Sequence, residues 1–175
     1  MKKYPQTSQG FTMIETLIAV AILMISIAGP LTIAQKGLTA AVYARDQVTA
    51  SFLAQDAMEY MKNMRDYNVK AGVGGVNPLG WLTGFIFCSP SNPCAVDTYD
   101  GGFSQPGTES GFLLYHDGEG YRKQGTLKSQ FTRKFYIEPV GFGESEVKAV
   151  VTVSWKNGTV ENVVTLENQF FNVKR

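Results

Sequence analysis

Between Thr16 and Ala34 the chain has no charged side chain, and apolar residues fill most positions. As a helix, these roughly 19 residues span about 29 Å, close to the ~30 Å hydrocarbon thickness of a bilayer. Farther on the pattern changes. Ala50, Leu53, Ala57, Tyr60, Met61 and Met64 recur at three- and four-residue spacings, as one buried face of a helix does. Gln55, Glu59, Lys62 and Asp66 form the opposite, polar stripe. Glu59 with Lys62, and Lys62 with Asp66, stand at separations that allow pairing. The periodicity predicts one long helix from about Thr12 to about Asp66, apolar all round at first and amphipathic later. Gly29-Pro30 interrupts the apolar run. Proline removes a backbone donor, so two outcomes stay open there: a kink or loosened turn, or a proline accommodated within the helix.

Glycine and proline then punctuate the chain. Gly72, Gly74, Gly75, Gly80 and Gly84, with Pro78, predict a loop from Ala71 to Gly84. No Gly-Lys-Ser/Thr follows, so this is not a phosphate cradle. Trp81, Phe85, Ile86 and Phe87 are expected to bury a short strand or turn against the helix. Ser89 to Gly111 reads as irregular. Asp97 and Asp100 within it invite comparison with a calcium loop, but their spacing is not that of an EF-hand and no metal site is expected.

Strands fill the rest. Residues 112–116 lead into Asp117-Gly118, a hairpin signal, and 121–123 return. Residues 131–140 read as a strand. Val147, Ala149, Val151, Val153 and Trp155 alternate with other residues and share one side of the clearest strand. Asn157-Gly158 turns the chain, and 159–170 return. Asn157-Gly158-Thr159 is also a glycosylation sequon, which the turn explains fully. The predicted class is α+β: a long N-terminal helix, transmembrane in its first half, packed against a small antiparallel sheet head.

Composition narrows this little. The 175 residues suit one globular domain plus a membrane stalk. A net charge of +1 argues against a general polyanion-binding surface. Lys128, Arg133 and Lys134, with Phe131 and Phe135, form a basic-aromatic cluster. On an alternating strand, a solvated polar face over a core face accounts for it, and DNA is not expected as a partner. Cys88 and Cys94 close a short loop around two prolines. If the head is extracytoplasmic a disulfide is expected, with free thiols as the other reading. Metal binding is disfavoured, since the thiols lack a second ligand pair and His116 is the only histidine. No enzyme or cofactor is expected: His116 has no evident nucleophile in sequence, and Gly102-Phe103-Ser104-Gln105-Pro106 misses the Gly-x-Ser-x-Gly elbow at its last position.

One stretch is far more specific. Lys2 and Lys3 lie in a short polar leader, Gly10-Phe11 follows, Glu15 stands at the fifth position after that glycine, and the apolar run comes next. This order resembles the type IV prepilin signature. A secretory signal instead places its apolar region before the cleavage site. The resemblance implies cleavage between Gly10 and Phe11 by a prepilin peptidase/methyltransferase, N-methylation of Phe11, and retention of the helix. It also implies that Glu15 pairs with the terminal amine of a neighbouring subunit during assembly. A carboxylate in a membrane helix costs on the order of 2.5–3.5 kcal/mol by insertion scales. The helix N-terminus offsets about 0.3–1 kcal/mol of that. The plain alternative puts Glu15 at headgroup level with no partner.

Residues 50–62, with Leu53-Ala54-Gln55-Asp56, look like the minor pilins called type IV pilus modification proteins and like the I-type pseudopilins of type II secretion. The implied organisation is a prepilin leader over 1–10, a transmembrane or filament-core helix over 11–34, an amphipathic continuation over 35–67 and a head over 68–175. Lys2 and Lys3 place the leader in the cytoplasm by the positive-inside tendency, with the head outside the inner membrane. The implied partners are inner-membrane lipid and other pilin or pseudopilin subunits. Two rivals differ in kind: a single-pass anchored surface domain that binds a ligand without forming filaments, and an anchored hydrolase using Ser104 and His116, which the missing triad disfavours.

Overall fold

The computed structural model describes residues 10–73, 77, 79–141 and 145–172. Lys2 and Lys3 of the leader, and Gly74, Gly75 and Pro78 of the predicted loop, lie outside the described residues. The chain divides into two compact units, Met1–Ala44 and Arg45–Arg175, and one helix, α1 (Met13–Ala71), contributes to both.

In the first unit, the described residues from Met13 onward are helical and exposed. This is the part of α1 long and apolar enough to cross a membrane. Helical conformation continues through Gly29 and Pro30, so the proline does not end the helix. Ser26 and Thr32 donate their hydroxyls to Ile22 O at 2.7 Å and Ala28 O at 2.9 Å, keeping both side chains satisfied within the helix.

The second unit packs the remainder of α1 on an antiparallel sheet. Its strands are β3 (Leu113–His116), β4 (Tyr121–Arg122), β5 (Leu127–Pro139), β6 (Glu146–Asn157) and β7 (Val160–Phe171), in spatial order β4-β3-β5-β6-β7. β1 (Ala95–Val96) and β2 (Phe103–Ser104) form a separate two-stranded ribbon, joined to β5 by a bridge between Cys94 and Phe135. Ala50, Leu53, Ala57 and Met61 are buried as their spacing predicts, joined by Ala54 and Met58, with Tyr60 and Met64 at the margin. They meet Val147, Ala149, Val151, Val153 and Trp155 of β6, which all face the core. Aromatic rings of Tyr60, Phe85, Phe103 and Phe135 interlock with centroids 5.3–5.9 Å apart.

Several expectations need correcting. α1 runs to Ala71, not Asp66. Asn68 is buried and donates its amide to Trp81 O (3.2 Å) and Thr83 O (2.8 Å), which holds the last turn in place. Gly72, at φ 61°, then ends the helix: its N–H reaches Val69 O and the Val73 N–H reaches Asn68 O. That is the glycine-capped double bond a left-handed residue allows. Lys62 pairs with Glu59 at 2.7 Å, whereas Asp66 pairs with Arg65 and not with Lys62.

Ile86 and Phe87 are exposed, not buried. A 3₁₀ turn at Gly80–Leu82 is followed by N–H bonds from Phe85 to Leu82 O and from Cys88 to Phe85 O. Such turns repeat every three residues. Leu82, Phe85 and Cys88 therefore share the inner side and leave Ile86 and Phe87 outside.

The sulfurs of Cys88 and Cys94 are bonded and fully buried. Gln105 braces the loop between them by donating to Phe87 O and Asn92 O. Closing so short a loop stabilises a fold by about 2–3 kcal/mol in the chain-entropy picture. Cys88→Ser should lower the denaturation midpoint accordingly while the sheet's circular dichroism is kept. Loss of the fold, or no change in midpoint, would contradict this.

The β3–β4 hairpin depends on Asp117. Its carboxylate accepts the N–H groups of Glu119 and Gly120 and pairs with Arg122 at 2.6 Å. The Glu119 N–H foremost, helped by the Gly120 N–H and Arg122, holds its pKa below the ordinary value against desolvation, which is the second-largest influence. A depressed carboxylate stabilises above its unfolded pKa and loses that contribution as pH falls through the folded one. Protection of the amides at Gly118–Tyr121, measured relative to intrinsic exchange at each pH, should therefore fall selectively under acid conditions, while protection in β6 does not. Equal loss of protection in both would remove this role.

Candidate functional site

At the start of α1, residue types and geometry coincide. Thr12 precedes the first helical residue, Met13, and its hydroxyl accepts the Glu15 N–H at 3.4 Å. Thr12 O accepts the Thr16 N–H at 3.2 Å. Thr-x-x-Glu at a helix start is the capping-box pattern, which satisfies donors the first turn leaves orphaned. The sequence reading weighed Glu15 for its charge and passed over this spacing. Gly10 and Phe11 lie just ahead of the cap and are exposed, so the Gly10–Phe11 peptide sits outside helical hydrogen bonding. A peptide outside the helix at a glycine is one a peptidase can engage, because no side chain at Gly10 obstructs it.

The head holds a second polar centre, which sequence reasoning placed on the wrong face. Arg133 was grouped with a solvated basic patch, yet it points into the core and is 1% exposed. Strand parity explains this, since Phe131, Arg133, Phe135 and Ile137 share the inner side of β5. Nη1 donates to Leu53 O and to Asp56 Oδ2, both at 3.0 Å. Nη2 donates to Val96 O at 3.0 Å and reaches Thr98 Oγ1 at 3.4 Å. Thr98 in turn donates to Asp56 at 2.6 Å. One guanidinium thus ties α1, the β1–β2 ribbon and β5 together. Burial pulls its pKa below the ordinary value, and the hydrogen bond and charge of Asp56 oppose that pull. It stays charged, as arginine does in proteins.

The other members of the basic cluster separate from it. Lys134 lies on the outer face, pairing with Glu109 at 2.7 Å, and Lys128 is exposed. Ser104 and His116 have separate partners. The Ser104 hydroxyl pairs with the Lys123 ammonium, and His116 Nδ1 accepts the Gly118 N–H while its ring packs on Tyr121. Asp97 accepts the N–H groups of Tyr99 and Asp100, so it shapes its own loop. Gly101 and Gly102 carry that loop through positive φ, where the Gly102 N–H bonds the Tyr60 hydroxyl at 2.8 Å.

Residues 6–29 match the family described as the prokaryotic N-terminal methylation motif. The match contains Gly10, Phe11 and Glu15 and ends just before Pro30. Comparison with curated proteins and with solved structures finds no match. With its long apolar helix and antiparallel sheet, the chain has a pilin-like α+β fold and carries the prepilin-type motif. That motif implies processing by a prepilin peptidase.

Proposed function

We propose that this chain is a minor pilin or pseudopilin, a structural subunit of a type IV pilus or of a type II secretion-like filament. In this reading it is cut after Gly10 and N-methylated at Phe11. It waits in the inner membrane through α1 with its head extracytoplasmic. It joins neighbouring subunits through the apolar helix and the Glu15 carboxylate. The observation that carries the reading is the juxtaposition at one helix start of the motif, an unencumbered Gly10–Phe11 peptide and an exposed apolar helix.

Exposure supports the assembly role. Met13, Ile14, Leu17, Ile22, Leu23 and Ile25 are all more than half exposed, so the helix is available all round to lipid or to other helices. Lipid offers apolar helices little hydrophobic drive toward one another, so association draws on packing and on polar contacts such as the one assigned to Glu15. The sealed core and the disulfide-closed loop suit a rigid head outside the cytoplasm.

The test is recovery of the chain in sheared filaments. It should be found there alongside the major subunit, and should disappear from that fraction when the prepilin peptidase is deleted. A chain that stays wholly with the membrane in both strains would favour the anchored surface domain instead.

A further inference from the structure

β7 is the outermost strand of its sheet, and among the described residues no strand pairs with its far side. Proteins ordinarily blunt such an edge with lysine, proline, a bulge or brevity. β7 carries two exposed carboxylates, Glu161 and Glu167, but none of these. Val160–Phe171 contains neither lysine nor proline, and its register to β6 runs unbroken over all 12 residues. Its core-facing side is also incompletely covered: Asn162, Val164, Leu166 and Asn168 are only half-buried. A groove of about 220 Å³ runs beside it, between Met58 and Glu59 of α1 and Leu166 and Asn168 of β7.

The strand reads nearly alike in both directions about Thr165. Val164 mirrors Leu166, Asn162 mirrors Asn168, Glu161 mirrors Gln169 and Val160 mirrors Phe170. Lay two copies antiparallel with Thr165 opposite Thr165. On the core side, apolar residues then oppose apolar ones, and amide opposes amide. On the outer side Glu161 meets Gln169 and Glu167 meets Val163, so no carboxylate faces another. Centring the pair on Val164 would set Glu161 against Glu167, and centring it on Leu166 would set Asn162 against Phe170. Opposed like charges destabilise a ladder, and register follows the polarity pattern.

We propose that β7 is a self-recognition edge, through which a second copy of this chain pairs antiparallel about Thr165. Asn162 and Val164 of the second copy would enter the groove over Met58 and Leu166. The two-fold axis stands perpendicular to the sheet and reverses every direction within its plane. The Arg45–Ala71 segments of α1, packed along the sheet, therefore run antiparallel in the pair. The inference does not depend on the filament role.

The experiment uses the full chain in detergent, with Cys88 and Cys94 kept and one further cysteine added on the outer side of β7. Thr165→Cys faces itself across the axis and should give a disulfide-linked dimer under mild oxidation. Val163→Cys alone should not, because its equivalent lies about 13 Å away along the strand, beyond disulfide reach. Val163→Cys mixed with Glu167→Cys should link again. Without added cysteines, Thr165→Lys sets like charges together and should weaken the dimer seen by sedimentation. Overturning results are no dimer from Thr165→Cys, equal linking at Thr165 and Val163, or linking in cells only to a different protein.

Discussion

Replacing Arg133 with methionine should destabilise the head by about 1–3 kcal/mol, the cost of leaving buried acceptors without their donor. Methionine roughly fills the volume but donates nothing. Leu53 O and Val96 O, each receiving an Arg133 N–H, would lose that bond inside the core. Leaving a buried acceptor without its donor costs about 1–3 kcal/mol. Asp56 keeps about half its side-chain surface in solvent, so it can rehydrate and adds less. Arg133→Lys keeps the charge but not the planar fork that reaches three elements at once, so it should rescue only part of the loss. Denaturant unfolding followed by fluorescence of the buried Trp81 and Trp155 checks this. A loss under about 1 kcal/mol for Arg133→Met would show that the guanidinium is not the tie the geometry describes.

Glu15 variants should insert in the membrane and fail to assemble. Glu15→Val and Glu15→Ala remove a carboxylate that costs insertion energy, so membrane retention should hold or improve. A hydrogen bond to a charged partner contributes about 1.5–3 kcal/mol. Its loss should lower incorporation into sheared filaments roughly tenfold or more. Glu15→Gln separates two roles. Glutamine preserves the capping-box pattern begun by Thr12 but not the charge. If the charge recruits the next subunit, Glu15→Gln fails like Glu15→Ala. Normal incorporation of Glu15→Gln would reduce the residue to a helix cap.

Different parts of the molecule were legible in the sequence for different reasons. The β6 core face followed from alternation alone, because Val147 to Trp155 are apolar at every second position. The Asn157-Gly158 turn was equally plain, and Gly158 does take the positive φ that a tight hairpin needs at that position. The end of α1 was set too early because polar Asn68 looked like a terminus, although Gly72 was the stronger signal. Ile86 and Phe87 were misplaced because hydrophobicity says nothing of a three-residue repeat, and only the turn hydrogen bonds reveal it.

Arg133 is the instructive case. Its charge argued for solvent while its parity with Phe131 and Phe135 argued for the core, and parity was the better guide. What no reading of one strand could supply was the set of acceptors, which come from residues 53–56 and 96–98. At the other end, Gly10, Phe11 and Glu15 stand out in the sequence because they fit the order of the prepilin-type motif, which residues 6–29 match.

The most direct measurement is the mass and first residue of the chain recovered from membranes of cells whose processing machinery is intact. The account predicts a polypeptide that begins at Phe11, with one added methyl group on that amine. A polypeptide still bearing residues 1–10, or one cut elsewhere, would contradict it.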